Sequence, residues 1–226
     1  MLKRKIVLGT YDTAAHGWTL TGWKLGAAVQ KTNYVAKSGG DGSHDLSTAM
    51  TDGIPRYNDR PLTVTLECSD GDRLSREAKI KQMINQLDGM RVDIEPPDDN
   101  LHHINGRLHI VREYNDMAHA AVTVRATCKP WKYANTETAV ALTAKTAAQT
   151  TTLLNAGRQA VVPVIKVTGS SASVLLAYKS SIGTVSEAFS AGTYQWPELL
   201  LTPGSHDLTY SGTGAVLITY REAVLE

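Results

Sequence analysis

Aromatic residues are scarce in this chain: Phe, Trp and Tyr make up 6% of 226 residues, with a single Phe. Cysteine is scarcer still. Cys68 and Cys128 are too few for a disulfide framework and too isolated for a zinc site. A single bridge, a reactive thiol or two core residues remain open. No apolar run approaches the 18 residues that a bilayer-spanning helix needs. Charge of one sign is also lacking. The net charge is +1, so no strong overall field draws the chain to nucleic acid or to an anionic membrane surface. Walker, GxSxG, HExxH and CxxC patterns are all missing, so no familiar catalytic signature is present. The opening "MLKRKIVLGTYDT" is basic and then briefly apolar. Its apolar part is too short for a signal peptide, and no small-residue cleavage site follows. We expect a chain made and kept in the cytosol unless something else carries it out.

What is present is a globular composition, 42% apolar and 20% charged, sufficient for one large domain or two small ones. Charge density changes along the chain, with 34 charged residues in 1–134 and 11 in 135–226. The Thr/Ala-rich segment 135–155 resembles nothing before it. A domain boundary is therefore expected near 132–137, giving domains 1–134 and 135–226.

One stretch of the first half carries a helical period. In "DGDRLSREAKIKQMINQLDGM", Ile80, Met83, Ile84 and Leu87 share a face, which one turn earlier carries Arg76 and Glu77. Asp70 or Asp72 can cap its start, and Gly89 can close its end. Two stretches alternate with period two. Leu62, Val64, Leu66 and Cys68 share one face of 60–68, and Val122, Val124, Ala126 and Cys128 share one face of the other. Both cysteines thus end apolar rows, and Pro130 is expected to stop the second strand. Between these strands a hairpin is expected over 106–124, turning near Tyr114–Asp116, with a tighter turn at Asn105–Gly106. "RVDIE" reads as a short strand closed by Pro96–Pro97. "YVAKSGGDGSHDLSTAM" reads as a glycine-rich loop that stays mobile or reaches toward a neighbour. The second half reads as short strands at roughly ten-residue spacing with no helix, including a Pro203–Gly204 turn, which suggests an antiparallel sandwich.

Candidate sites weigh little on this reading. A reactive Cys128 needs exposure and a cationic neighbourhood, whereas this one ends an apolar row. His102 and His103 are adjacent on a strand and point apart, so they are poorly placed to share a metal. Asp98–Asp99 has the spacing of a turn device and not of facing catalytic carboxylates. Asp41 and Asp45 lack the spacing and terminal Glu of a calcium loop. Glu187, Glu198 and Asp207 form no hydrolase motif. Tyr178, Tyr194, Trp196 and Tyr210 could stack on sugars or fill a core. We therefore expect no enzyme, no metal and no cofactor.

The order of pieces resembles the distal tail protein (Dit) family of long-tailed bacteriophages. The likeness is carried by "GGDGSHDLS" (39–47), "RYNDRPLTVTLE" (56–67), the helix ending in "LDG" (87–89), "PPDDNLHHINGRL" (96–108) and "CKPWKY" (128–133). "NAGRQAVVPVIKVTG" (155–169) and "LTPGSHDLTYSGTGAVLITYREAVL" (201–225) extend it through the second half. The resemblance implies a mainly β chain. The N-terminal domain would be a β-sandwich with one helix and a β-hairpin, six copies of which close into a ring at the end of the tail tube. A galectin-like or carbohydrate-module-like sandwich would hang outside. The implied partners are five further copies of the chain, the tail tube protein, a tail-tip protein and receptor-binding or fibre proteins. The implied location is the distal end of the virion tail, after assembly in the host cytoplasm. DNA would pass through the lumen without specific binding, and the small net charge suggests a modestly polar lumen. On this basis Asp45, Arg56, Tyr57 and Arg60 are expected at or near subunit contacts. The alternative is a carbohydrate-binding protein that grips host wall glycans through Tyr178, Tyr194 or Trp196, which predicts that these rings are exposed on one concave face.

Overall fold

A computed structural model describes residues 5–49, 51, 53–180 and 183–226. The first four residues of the basic N-terminal stretch, Met50 of the glycine-rich segment, and Ser181 at the end of one expected strand lie outside the described residues. The chain is mainly β with one helix, and divides into two compact units, Met1–Lys132 with Leu225 and Tyr133–Val224 with Glu226.

The first unit contains β1 (Val7–Leu8), β2 (Tyr11–Asp12), β3 (Thr19–Leu25), β4 (Tyr34–Ala36), β5 (Ser43–Asp45), β6 (Arg60–Cys68), α1 (Arg73–Leu87), β7 (Arg91–Glu95) and β8 (His102–Asn115). It also holds most of β9 (Ala120–Ala134). Seven strands follow one sheet path in the order β2-β1-β7-β8-β9-β6-β3, while β4 and β5, among the described residues, form a two-stranded sheet of their own. The ladder between β6 and β9 runs from Arg60↔Cys128 to Cys68↔Ala120. It buries Leu62, Val64, Leu66 and Cys68 beside Val122, Val124, Ala126 and Cys128, as their alternation requires.

Helix α1 closes this face. The Asp72 carboxylate accepts the Ser75 N–H at 2.8 Å, and Gly89 takes φ 77° just past the end. Ile80, Met83 and Leu87 enter the core, and so does Arg76. Its guanidinium donates to the carbonyls of Gly71 (2.5 Å), Asp116 (2.9 Å) and Met117 (3.1 Å) and to Asn115 Oδ1 (3.5 Å). Asn115 Nδ2 returns a bond to the Arg73 carbonyl at 3.1 Å. The charge that interrupts the apolar stripe thus ties the first turn of the helix to the β8–β9 turn. That turn lies at 116–119, slightly later than expected, because Asp116 Oδ1 accepts the N–H groups of Ala118 and His119.

Three expectations are corrected. Asn105–Gly106 is no turn. It lies inside β8, paired with Asp93 and Val92. A Cβ on Gly106 would sit 2.6 Å from Cys128 Sγ, so this glycine marks close approach of two strands. Pro130 does not stop β9. The β6 ladder has already ended at Cys128, so the missing N–H leaves no gap in it. Residues 34–45 are a short hairpin and not a loop.

The second unit is built on two 17-residue strands where the sequence suggested short ones. With β10 (Thr138–Ala144) and β11 (Gln149–Asn155) come β12 (Val164–Ser180), β13 (Gly183–Ser190), β14 (Gly192–Gln195) and β15 (Gly204–Tyr220). One end of β12 pairs with β14 and with the C-terminal half of β15, which also pairs β10. The other end pairs with β13 and with the N-terminal half of β15, which also pairs β11. The register of β12 on β15 breaks between Thr168 and Ser173. Here the sheet folds over, and both halves contribute to one core, through Ile165 and Val167 on one side and Val174 and Leu176 on the other. Gly212, at φ 118°, allows the crossing: a Cβ there would land on the Ser173 carbonyl oxygen.

Two predictions follow from the packing. Arg76→Ala leaves three carbonyls without their donor and should cost about 3 kcal/mol in urea unfolding, whereas Arg112→Ala, which removes an exposed ion pair with Glu77, should cost under about 1 kcal/mol. Gly106→Ala should cost about 1–3 kcal/mol by overpacking. Combined with Cys128→Ala it should cost clearly less than the sum of the single variants, because the clash is with Sγ.

Candidate functional site

Three places could carry function: the cysteines, the aromatic group of the second unit, and the β4–β5 hairpin with the segment leading into β6. Cys68 and Cys128 are both free and buried. They lie on neighbouring strands, but those strands are antiparallel, so the cysteines sit at opposite ends of a ladder nine residues long, eight strand steps or roughly 27 Å apart. That excludes the bridge left open by the sequence. Burial pushes the Cys128 thiol up to about 12, against the weaker opposing effect of Arg60. Such a thiol stays protonated and is no nucleophile. Lys79 Nζ lies 3.5 Å from Cys68 Sγ, but that sulfur is closed off from solvent. No group of three His, Cys, Asp or Glu side chains that could hold a metal occurs among the described residues. Asp99 accepts the N–H groups of Leu101 and His102 and serves as a turn device.

The aromatic rings of the second unit do not form an exposed platform. Tyr178 is 6% exposed and Trp196 is 3% exposed. The Tyr178 hydroxyl donates to the Leu200 carbonyl (3.2 Å) and lies 3.1 Å from His206 Nδ1. Phe189, the lone Phe, packs edge-on against Trp196 (5.8 Å) and tilted against Tyr194 (5.1 Å). Tyr194 is half-buried, with its hydroxyl 3.0 Å from Ser190 Oγ. Tyr210 is buried as well. The glycan reading predicts Tyr178, Tyr194 and Trp196 open on one concave face, and two of the three are core. Sequence reasoning gave Phe189 no part, although it joins the other two rings. Its inward position on β13 appears only once the strand's pairing is known.

The hairpin is different in kind. Tyr34↔Asp45, Val35↔His44 and Ala36↔Ser43 pair, and all six residues are exposed. Tyr34 is 61% exposed, Val35 46% and nearby Leu46 42%. Asn33 and Leu46 close the base through a 2.8 Å backbone bond. The Ser47 hydroxyl and N–H hold the Asp45 carboxyl below its usual range. Of the four residues expected at contacts, Asp45 is thus on this exposed arm. Arg56 is exposed, and its carbonyl accepts the Lys31 N–H at 2.8 Å. Tyr57 is half-buried, edge-on to Trp131 at 5.2 Å. Arg60 presents no surface: it is 3% exposed, and its guanidinium donates to the carbonyls of Gly26 (2.6 Å), Leu225 (2.7 Å) and Pro130 (3.3 Å). It holds the entry of β6 in place. The structure therefore brings Asp45 and Arg56 to the surface and turns Arg60 inward.

No protein-family model and no curated protein matches this chain. Among solved structures it is similar to the crystal structure of the Dit protein of phage SPP1, described as a paradigm of the hub adsorption apparatus in phages infecting Gram-positive bacteria. The TM-score is 0.70 at 15% identity, covering 96% of this chain and 98% of that one. The two chains share a fold across nearly their whole lengths.

Native protein at pH 8 should resist an aromatic disulfide reagent, with both thiols appearing only when urea unfolds the chain. Rapid native labelling of Cys128 would overturn its place in the core.

Proposed function

We propose that this chain is a structural component of a bacteriophage tail, a distal tail protein acting as a ring of six copies. The observation that carries this reading is the fold shared with the SPP1 Dit protein over 96% of the chain. In this reading residues 1–134 form the ring, and 135–226 form a galectin-like sandwich outside it. The ring joins the tail tube protein above to the tip protein below, with receptor-binding or fibre proteins attached to the same hub. It is built in the host cytoplasm and resides at the distal end of the tail. No chemistry is required of it.

The exposed arm supports self-association. Tyr34, Val35 and Leu46 leave apolar surface in water on a two-stranded hairpin, and a hairpin of that size is marginal when it stands alone. A ring is a head-to-tail contact that closes, so an arm on one copy meets a different surface on the next.

Light scattering with negative-stain images of the same peak tests this directly. A particle of roughly six times 24.4 kDa with annular views is expected. Replacing Tyr34, Val35 and Leu46 together by Ser should return it to monomer mass without shifting the urea midpoint. A wild-type chain that stays monomeric at high concentration would sink the ring. A ring that survives the triple Ser variant would remove the arm from its interface.

A further inference from the structure

On the solvent side of the first sheet, four cations lie on four of five adjacent strands. Arg91 of β7 is the register partner of Arg107 of β8. Arg125 of β9 faces Thr63 of β6, and Thr63 faces Lys24 of β3. A shallow depression of about 330 Å³, lined by Arg107, His109, Arg125, Thr63 and Thr127 among others, joins the two parts of the row. All four cationic residues are exposed, while Leu108 beside Arg107 and Ala126 beside Arg125 turn into the core. At the usual strand spacing the row spans roughly 19 Å.

Among the described residues, none of Lys24, Arg91, Arg107 and Arg125 forms an ion pair. The nearby carboxylates lie against other groups: Asp88 is 3.1 Å from His109 Nδ1, and Asp93 accepts the Asn105 amide at 2.8 Å and lies 3.9 Å from His103 Nε2. Arg91 and Arg107 each donate one bond to a neutral acceptor, the Asn105 side chain and the Gly89 carbonyl. Like charges directly opposite in a sheet cost stability. The near-zero net charge conceals this segregation.

We infer that this row binds the phosphate backbone of duplex DNA without regard to sequence. Four cations with threonine hydroxyls between them are what phosphate oxygens take up. Protein interfaces centre on Trp, Tyr and Arg anchors in well-packed pockets shielded from water, and single strands need rings on which bases stack. No Phe, Tyr or Trp lines the depression. The inference stands on the register of one sheet and does not require the ring proposed above, so either can fail without the other.

The test is fluorescence anisotropy of the full chain with a short labelled duplex of arbitrary sequence, across a salt series. If all four cations meet phosphates, log K should fall against log salt with a slope of about −3.6, or about 10²-fold between 50 and 200 mM. Arg107→Gln with Arg125→Gln should cut the slope by about half and weaken binding at low salt at least ~10-fold. Arg125→Lys should stay near wild type, as should Lys81→Gln on α1, away from the row. Urea midpoints check that the variants are folded, and Lys24→Gln serves if the double variant is not. Three results would overturn the inference: no salt-dependent binding, undiminished binding by the folded Gln variants, or tighter binding of poly-glutamate than of the duplex. The last would assign the row to an acidic protein.

Discussion

The first unit depends on the register of β6 against β9. Nine residues of one strand pair with nine of the other, and side chains alternate between faces along both. A slip of one position would carry Leu62, Val64 and Leu66 to water and Thr63, Thr65 and Glu67 to the core. Each fully buried Leu or Val contributes about 1.5–3 kcal/mol, so the wrong register is costly. Other features follow from the right one. The inner face becomes the floor on which α1 lies. Cys128 is brought under β8, which leaves room only for glycine at 106. Arg60 is placed at the ladder's end, within reach of three carbonyls. The outer face receives Thr63 and Arg125 side by side.

The second unit solves a different problem. Its strands are too long for one flat layer, and their two ends carry apolar residues that need cover. Folding the sheet over itself lets each half cover the other, at the cost of passing two backbones close together where β12 and β15 cross. The sequence meets that cost with Gly169, Gly212 and Gly214 and with the small Ala172 between them. Tyr178, Phe189, Trp196 and Tyr210 then fill the interior. In a chain so poor in aromatics, this is a large share of those it has. Burial here explains their presence without a ligand.

Where local chemistry decides the structure, the sequence was legible. The caps of α1, the inward rows of β6 and β9, and the turn role of Asp99 all depend on residues within a few positions of one another. Where distant pairing decides, it was not. β1 and β2 are two residues each, too short to show a period, and β3 is broken by a register shift between Leu20 and Gly22, so Trp18 and Leu20 gave no pattern. Asn105–Gly106 has turn chemistry, but the glycine answers to a sulfur 22 positions away. Of the residues proposed at contacts, Asp45 and Arg56 reached the surface. Arg60 did not, since nothing near it in sequence shows that carbonyls at 26, 130 and 225 converge on it. The basic row is the extreme case: positions 24, 91, 107 and 125 share no local pattern and meet only through three ladders and the depression between β8 and β9.

The arm and the row also differ in the kind of contact their chemistry permits. Tyr34, Val35 and Leu46 offer apolar area, whose contribution grows with the surface removed from water and hardly responds to salt. The row offers charge and hydroxyls around a depression that no Phe, Tyr or Trp lines, so its contribution is large at low salt and fades as ions compete. A surface of the first kind suits a contact that must persist. One of the second kind suits a contact that forms and releases along a repeating polyanion, since no single site on it is preferred. A part proposed to hold its neighbours while DNA passes would need both, on separate surfaces. In this chain the apolar side chains lie on a hairpin that forms, among the described residues, a two-stranded sheet of its own, while the cations lie on the main sheet, so each property can be altered without touching the other.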